Sequence, residues 1–448
     1  MNMKQLFLRF ILFLTVVFFA AFTGCSKDIP LNYDFNTETG RYRIPDYPDV
    51  FFAVISDTHV YCPSLGSSGS AFEKVMYSDR KLLLDSIELL DFAIDNIIAS
   101  GVQFVLISGD LTKDGELINH QIMAEKLKRL TDVNIAVYVV PGNHDVNCPD
   151  AVRFIGDYTE SVATVSGEEF AQIYGDFGYN SALYRDSNSL SYVAEPAEGL
   201  WLLAIDSTRY KENVHGQHAI VSGKISQQTA DWIASVLREA YSKNKAVMVL
   251  LHHGVVEHWN GQFKLHPDYL IRDYINFGRF LSSWNVRLAF TGHYHAQDIT
   301  RSDFNGKFIY DIETGSLVTS PCPIRFLEIK DNIINIRTES IVDKIYPGTD
   351  FAANAAAFVK TTVMLEAASV LKKYFVSDKD TAIITDAVGD AFTAHYNGDE
   401  DPTLRPVLDK SKLGLWGRFI LSQQQYVLDG LWQDLEPADN NVSFRLTY

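Results

Sequence analysis

Five short motifs in the sequence combine residue types that bind metal ions or transfer protons. They are Asp57-Thr58-His59, Gly109-Asp110, Gly142-Asn143-His144-Asp145, His252-His253 and Gly292-His293-Tyr294-His295. Carboxylate, imidazole and amide donors, with no cysteine among them, suit zinc, manganese or iron. The candidate ligands comprise two Asp, four His and one Asn, which is too many for one tetrahedral ion and matches two ions that share a carboxylate. Because two such ions can clamp both oxygens of an in-line phosphoryl displacement, the motifs predict hydrolysis of a phosphate ester.

Each motif lies at the end of an apolar run with the composition of a buried strand. The runs are 51–56, 102–108, 135–140, 246–253 and 286–295, and windows with helical spacing of apolar residues lie at 79–100, 116–130, 227–243 and 268–284. This alternation predicts an α/β fold with parallel strand pairing. A strand at 199–206 and further strands within 306–340 are expected to complete a second sheet. The carboxyl edge of such a sheet is where ligands bind, so the motifs are expected to meet there.

The motifs SDTH, GDLTKDG, GNHD, LLHHG and GHYH resemble, in this order, those of the calcineurin-like metallophosphoesterase family. The resemblance covers about residues 50 to 340 and implies a four-layer α/β/β/α sandwich with two metal ions. By this resemblance one ion is held by Asp57, His59, Asp110 and His295, and the other by Asp110, Asn143, His252 and His293. Asp110 is therefore expected to bridge the two ions.

The same resemblance implies roles for residues that bind no metal. His144 is expected to contact the phosphate and to stabilise charge or protonate the leaving oxygen, while Asp145 orients its ring. The family commonly has a proline two residues after the first paired histidine, where this chain has Gly254. This difference leaves both His252 and His253 open as the ligand, and His252 is the preferred one.

The resemblance is greatest to the cyclic-nucleotide and glycerophosphodiester type of phosphoesterase. The reasons are that GDLTKDGE runs directly into a predicted helix and that the histidine pair precedes a long loop. We therefore expect a phosphodiesterase in which a hydroxide bridging two Mn, Zn or Fe ions attacks phosphorus. A phosphomonoesterase or protein phosphatase is the alternative. A surface binding protein on the same scaffold is another, although the predicted ligand set is complete.

Charge limits the class of partner. The chain has 56 acidic and 39 basic residues, a formal net charge of −17, and no run rich in Lys or Arg. Such a chain repels polyanions, so a nucleic acid polymer is not expected as a partner. The substrate is instead expected to be a small phosphoester. No pattern in the sequence indicates the oligomeric state.

The amino terminus has the layout of an export signal. Lys4 and Arg9 precede a nearly unbroken apolar run that ends in Phe-Thr-Gly-Cys. This resembles the lipobox of a bacterial lipoprotein, so we expect a signal peptide at 1–24 and lipid modification of Cys25. A polar tether at 25–49 would then hold the protein at a bacterial membrane, on its periplasmic or extracellular face. An ordinary secretory signal or an uncleaved anchor is the alternative.

The composition changes after the last predicted strand. A catalytic domain is expected at 50–346, followed by a helical domain at 347–448 with helices over 351–375, 380–399 and 412–432. The sequence does not indicate whether these helices cap the site, mediate self-association or cover apolar surface. Export would permit a disulfide between Cys62 and Cys148, but free thiols are the preferred expectation.

Two histidines outside the motifs are open to more than one interpretation. His120 follows the second motif on a predicted helix, where a role in the pocket and a packed helix face are equally compatible with the pattern. His258 lies just beyond the fourth motif and could reach over the site from a loop.

Overall fold

Two β-sheets form the centre of the protein. The computed structural model describes residues 30–37 and 45–447, so the predicted signal peptide, Cys25 and part of the predicted tether lie outside the described residues. In chain order the strands are β1 (Val50–Ile55), β2 (Phe104–Ile107), β3 (Ala136–Val139), β4 (Val152–Ile155), β5 (Tyr158–Ser161), β6 (Tyr184–Arg185), β7 (Tyr192–Ala197), β8 (Leu200–Ala204), β9 (Ala246–Leu250), β10 (Leu288–Thr291), β11 (Asp298–Phe304), β12 (Lys307–Glu313), β13 (Pro323–Lys330), β14 (Ile333–Ser340) and β15 (Asn441–Arg445).

The sheet order brings the motif-bearing strands side by side. The first sheet has the order β15-β14-β13-β1-β2-β3, and the second has the order β11-β12-β10-β9-β8-β7-β6. Strands β1, β2 and β3 are parallel, as are β8, β9, β10 and β12. The predicted parallel pairing is confirmed, and the motifs that follow β1, β2, β3, β9 and β10 leave the carboxyl ends of these strands.

The strands within 306–340 divide between the two sheets, which differs from the prediction. Only β12 joins the second sheet, whereas β13 pairs antiparallel with β1 and β14 extends the first sheet. An apolar run indicates a buried strand but not its partner, because pairing depends on long-range contacts. The chain end also returns to this sheet as β15, which pairs with β14.

Helices pack on the outside of the sheets. They are α1 (Ser70–Ser78), α2 (Ser86–Ser100), α3 (Leu117–Thr131), α4 (Gly167–Ile173), α5 (Gln227–Ser242), α6 (Gln262–Leu265), α7 (Tyr274–Ser283), α8 (Phe351–Lys373), α9 (Asp378–Asn397) and α10 (Leu415–Leu431). Within the window 79–100 the α-helix begins only at Ser86, after a short 3-10 helix at Leu83–Asp85. The backbone N–H of Leu82 donates to Val318 O, 2.7 Å away, so residues 79–82 run beside the strand ends instead of in a helix.

The inner faces of the two sheets share one apolar core. The ring of Phe52 in β1 stacks on Phe104 in β2, with a centroid distance of 4.8 Å. It also meets Phe290 of β10, in the other sheet, edge-on at 5.6 Å. Burying each such side chain contributes roughly 1.5–3 kcal/mol. This packing makes a mixed α/β fold with two facing sheets, which holds the strand ends of both sheets in fixed positions.

The three carboxyl-terminal helices pack in a second apolar core. Val359, Ile384 and Leu428 lie in it together with Trp259 and Tyr294 of the catalytic region. The helical region after residue 347 is therefore present, while the domain boundary at this residue stays a prediction. Among the described residues no helix has the length and apolar character needed to cross a membrane.

Candidate metal centre

The predicted metal ligands converge beyond the carboxyl ends of the parallel strands. We call them the metal-binding edge: Asp57, His59, Asp110, Asn143, His252, His293 and His295. Their donor atoms form two groups, Asp57 with His59 and His295, and Asp110 with His252 and His293. Within each group the atoms lie within 4.8 Å of one another. The two groups match the pair of metal sites implied by the resemblance.

Asp110 lies between the two groups. Its Oδ2 is 3.4 Å from Nε2 of His252 and 3.7 Å from Nε2 of His59. Asn143 joins the second group, since its Oδ1 is 3.1 Å from the same Nε2 of His252. One carboxylate thus faces donors from both groups, which is the arrangement that a bridging ligand requires.

The backbone of the edge is unusually strained. Positive φ angles occur at Asp57 (49°), His59 (37°), Asp110 (48°), His293 (77°) and His295 (68°). Side chains other than glycine rarely adopt this region, and such residues concentrate at functional sites. Gly142 permits the close approach of the third motif, because a Cβ there would lie 2.0 Å from Oδ1 of Asp110. The chain is therefore bent to aim these side chains inward.

Backbone carbonyls and hydroxyls orient the histidine rings. Nδ1 of His252 lies 2.8 Å from Ser108 O, and Nδ1 of His59 lies 3.2 Å from Thr112 O. Nδ1 of His295 is 3.3 Å from Oγ1 of Thr319. With Nδ1 held in this way, each ring presents Nε2 to the centre of the site, as metal-binding histidines commonly do.

The paired histidines have different surroundings. Both ring nitrogens of His253 have partners, Oγ of Ser207 and the carbonyl of Val221, each at 2.8 Å. Burial and the neighbouring His252 lower the pKa of His253 to about 3. The side chain of His252, by contrast, faces Asp110. The structure therefore places His252, and not His253, among the edge donors.

The edge has the properties of an ion site. Within residues 30–37 and 45–447, Oδ1 of Asp57 and Nε2 of His293 are buried and have no hydrogen-bond partner. Leaving such atoms unpaired is costly, and a cation would satisfy both. Burial also lowers the pKa values of His59 and His293 well below the usual range, which keeps these rings neutral. Neutral imidazole is the form that binds metal, so these residues fit a dinuclear metal centre.

His144 stands beside the edge with a different partner from the predicted one. Its backbone N–H donates to Oδ1 of Asp110 at 3.0 Å, and its ring Nε2 lies 4.0 Å from Oδ2 of the same residue. Ring Nδ1 is 2.7 Å from Oδ1 of Asp114. Sequence reasoning missed Asp114, although it belongs to the GDLTKDG motif.

Asp145 does not orient the ring of His144, which corrects the prediction. Its carboxylate accepts hydrogen bonds from the backbone N–H groups of Leu111 and Thr112, both at 3.0 Å, and of Gly142 at 2.8 Å. Asp145 therefore ties the second motif to the third. Adjacent residues on a tight turn point in different directions, so neighbours in sequence need not share a task.

Lys81 is a second residue near the edge that the sequence did not reveal. Its Nζ is 3.1 Å from Oδ2 of Asp79, and the side chain is nearly buried. Burial lowers the pKa of Lys81, but the carboxylates of Asp79, Asp110 and Asp114 outweigh this effect and raise it. The helical spacing of apolar residues over 79–100 predicted that Lys81 lies in a helix. Its charge instead lies among the acidic groups of the site.

His120 and His258 are part of the supporting structure. His120 bonds the hydroxyl of Tyr174 and the carbonyl of Asp145, both at 2.8 Å, and so supports the third motif from behind. His258 does not reach over the site, because it is buried with its Nδ1 2.5 Å from Oδ1 of Asp298. In the described part of the chain the cysteines, which are Cys62, Cys148 and Cys322, are free thiols as expected.

One family model matches the part of the chain that carries the metal-binding edge. The model of the calcineurin-like phosphoesterase family matches residues 52–297, which is more than half of the chain. No curated protein sequence matches the chain. A dimetal phosphatase from Danio rerio is 17% identical, with a TM-score of 0.46, over 66% of this chain and 97% of its own.

Two further solved structures are more distant. A sulfate thiohydrolase from Thermus thermophilus is 13% identical, with a TM-score of 0.36, over 72% of this chain and 61% of its own. A purple acid phosphatase from yellow lupin (Lupinus luteus) seeds is 12% identical, with a TM-score of 0.38, over 66% of this chain and 52% of its own. The extent of the family match shows that this chain belongs to the calcineurin-like phosphoesterase family, whose dinuclear metal centre hydrolyses phosphoric esters.

Proposed function

We propose that this enzyme is a metal-dependent phosphodiesterase acting on a small diester of the cyclic-nucleotide or glycerophosphodiester type. The observation that carries the proposal is the convergence of two donor groups on Asp110, with the ring of His144 beside them. The preference for a diester comes from the resemblance of the GDLTKDGE segment and the histidine pair. A monoester substrate is the alternative that the test below must separate.

We assign the edge residues to two ions of manganese, zinc or iron. Asp57, His59 and His295 would hold one ion, Asn143, His252 and His293 the other, and Asp110 would bridge them. When bound, such ions polarise phosphoryl oxygens and supply a hydroxide nucleophile at neutral pH. The mixture of imidazole, carboxylate and amide donors favours these borderline ions over calcium or magnesium.

The protein's own groups then act on the leaving oxygen and on the phosphate charge. His144 would donate a proton from Nε2 to the leaving oxygen, because Asp114 holds its Nδ1 at 2.7 Å and so keeps Nε2 directed at the site. The buried ammonium group of Lys81 would stabilise negative charge that develops on phosphate oxygens. Both groups touch the substrate in this proposal.

Metal content and turnover in one preparation test the proposal. The purified protein is loaded separately with manganese, zinc or iron, desalted, and assayed with bis-p-nitrophenyl phosphate and p-nitrophenyl phosphate. We expect turnover that needs metal and that is faster with the diester. Faster turnover of the monoester would replace the diester assignment. No turnover with any of the three metals would favour a binding protein on the same scaffold.

We further propose that Cys25 carries lipid and anchors the enzyme to a bacterial membrane, outside the cytoplasm. The support is the lipobox-like Phe-Thr-Gly-Cys segment after the apolar run. Labelling of bacterial cells with a clickable fatty acid tests this directly. We expect a labelled wild-type protein and no label on the Cys25→Ser variant. An unlabelled wild-type protein would show that the segment is an ordinary secretory signal or an uncleaved anchor.

A further inference from the structure

A second group of metal-binding residue types lies behind the loop that carries His293 and His295. Asp298 begins β11, His395 is near the end of α9, and Glu400 follows in the next loop. One donor atom from each lies within 4.8 Å of the others. We call these three residues the second cluster. Each of the three side chains is 1% exposed, so the cluster is closed to substrate.

The three side chains of the second cluster face one another. Oδ2 of Asp298 lies 4.0 Å from Nδ1 of His395, and Oε1 of Glu400 contacts the same nitrogen. The other oxygen of Asp298, Oδ1, accepts hydrogen bonds from His258 at 2.5 Å and from Thr300 at 2.8 Å. The cluster thus has one oxygen of Asp298 directed toward His395 and Glu400, while the other is held in place by neighbours.

Two atoms of the second cluster lack the partners that burial normally demands. Oε2 of Glu400 and Nε2 of His395 are buried and have no hydrogen-bond partner in the described parts of the chain. A buried carboxylate oxygen without a donor is strongly disfavoured unless a cation is near. The carboxylate of Glu400 is therefore the feature that points to a ligand.

The surroundings of the second cluster are rich in carboxylates. His258 is shared by several of them, since its Nε2 lies 3.4 Å from both Asp311 and Glu313 in addition to its bond with Asp298. The guanidinium of Arg325 donates to the backbone carbonyls of Glu313 and Asp298 and not to their carboxylates. His258 and Arg325 are therefore engaged by other carboxylates and by backbone carbonyls, and neither donates to Oε2 of Glu400 within the described residues.

We propose that Asp298, His395 and Glu400 bind a third divalent metal ion, of the zinc or manganese class. One imidazole and two carboxylates are the donor set that such ions prefer, whereas calcium and magnesium prefer oxygen donors throughout. The assignment goes beyond the proposed phosphodiesterase activity and does not depend on it. It also gives the carboxyl-terminal helices a task, because the ion would join α9 to the strand that follows His295.

The position of the second cluster suits this joining role. Asp298 is only three residues after His295, and the backbone N–H of Gln297 donates to the carbonyl of Tyr396 at 3.4 Å. The ring of Tyr294 also meets the ring of His395, with centroids 5.6 Å apart. An ion in the second cluster would hold the loop with two edge ligands against α9.

Zinc content per chain tests the proposal independently of catalysis. We compare wild type with Glu400→Gln and His395→Gln, and repeat the comparison in a variant with a disabled edge, Asp57→Asn/Asp110→Asn/His252→Ala. Each protein is loaded with zinc, desalted and analysed for metal. We expect the cluster substitutions to remove one zinc per chain in both backgrounds. The control Asp386→Asn changes a carboxylate on α9 that is 61% exposed, and it should remove none.

A second measurement covers the case in which the cluster variants do not fold. The disabled-edge variant keeps Asp298, His395 and Glu400, so zinc should raise its melting temperature by a few degrees through preferential binding to the folded state. Unchanged zinc content in Glu400→Gln and His395→Gln would overturn the proposal. A melting temperature of the disabled-edge variant that does not change with zinc would also overturn it. The second cluster would then be a hydrogen-bonded network of protonated side chains without a metal ion.

Discussion

The metal-binding edge and the second cluster contain the same kinds of side chain in two different settings. The edge collects donors from the ends of parallel strands, while the second cluster takes them from a strand start, a helix end and a loop. The side chain of His295 in the edge is 11% exposed and that of His144 beside the edge is 26% exposed, whereas each member of the second cluster is 1% exposed. Substrate can therefore reach only the first of the two.

This difference separates a site for chemistry from a site for assembly. An ion that polarises a phosphate must be reachable, and the proton donor beside it must be reachable as well. An ion that ties two parts of the fold together works best where water is excluded, because electrostatic interactions are stronger there. The four predictions below test this distinction, from the largest expected effect to the smallest.

Removing the shared carboxylate of the edge should have the largest effect on turnover. Asp110→Asn is expected to lower kcat/KM for bis-p-nitrophenyl phosphate by about 10³-fold or more, because metal ions contribute several kcal/mol of transition-state stabilisation. Glu400→Gln is the matched change in the second cluster and should cost less than about tenfold. Equal losses of kcat/KM in Asp110→Asn and Glu400→Gln would show that the second cluster contributes to catalysis as much as the edge does.

Replacing the proposed proton donor should have an effect that depends on the leaving group. His144→Gln is expected to slow hydrolysis of a phenyl phosphodiester by about 10²-fold, and of its p-nitrophenyl counterpart by less than about tenfold, because p-nitrophenolate leaves without a proton. Comparing kcat for the two esters measures this. His218→Gln, at a histidine with a 97% exposed side chain, is the control. The same loss with both esters would remove the acid role.

Removing the buried ammonium group should have a smaller effect. Lys81→Met is expected to lower kcat/KM by about tenfold, because the attraction between Lys81 and the phosphate charge is lost. The loss is no larger because Asp79 already neutralises part of the charge of Lys81 in the wild type. Lys81→Arg should retain most of the activity, and Lys74→Met on the exposed side of α1 should have no effect. Wild-type kinetics in Lys81→Met would show that this residue only balances the charge of Asp79.

Weakening the start of α9 should change stability without changing turnover. Oγ of Ser377 accepts a hydrogen bond from the backbone N–H of Asp380, so Ser377→Ala should lower the free energy of unfolding by about 1 kcal/mol. A shift in the urea midpoint at unchanged slope measures this loss. Ser235→Ala, within α5, is the control, because its hydroxyl caps no helix end. A fall in kcat of folded Ser377→Ala would mean that α9 acts directly on the edge.

Much of the metal-binding edge could be predicted because each donor belongs to a motif at the end of a recognisable strand. Parallel strands end at the same side of a sheet, so local patterns determine which residues meet even when they are far apart in sequence. The alternation of strand-like and helical windows predicted the α/β fold, and apolar residues at helical spacing predicted the helical carboxyl-terminal region. The sequence did not predict the pairing of β13 with β1, because an apolar run indicates a buried strand but not the strand with which it pairs.

What the sequence determined by itself is therefore the set of residue types, their strand ends and the class of chemistry. Tertiary structure alone decided that Asp114 and not Asp145 contacts His144. It also supported the preference for His252 over His253, because His252 faces Asp110. It also decided the placement of Lys81 and the assembly of the second cluster from distant segments. The physical reason is that side-chain direction and long-range contacts depend on how whole elements pack, while local spacing specifies only the elements themselves.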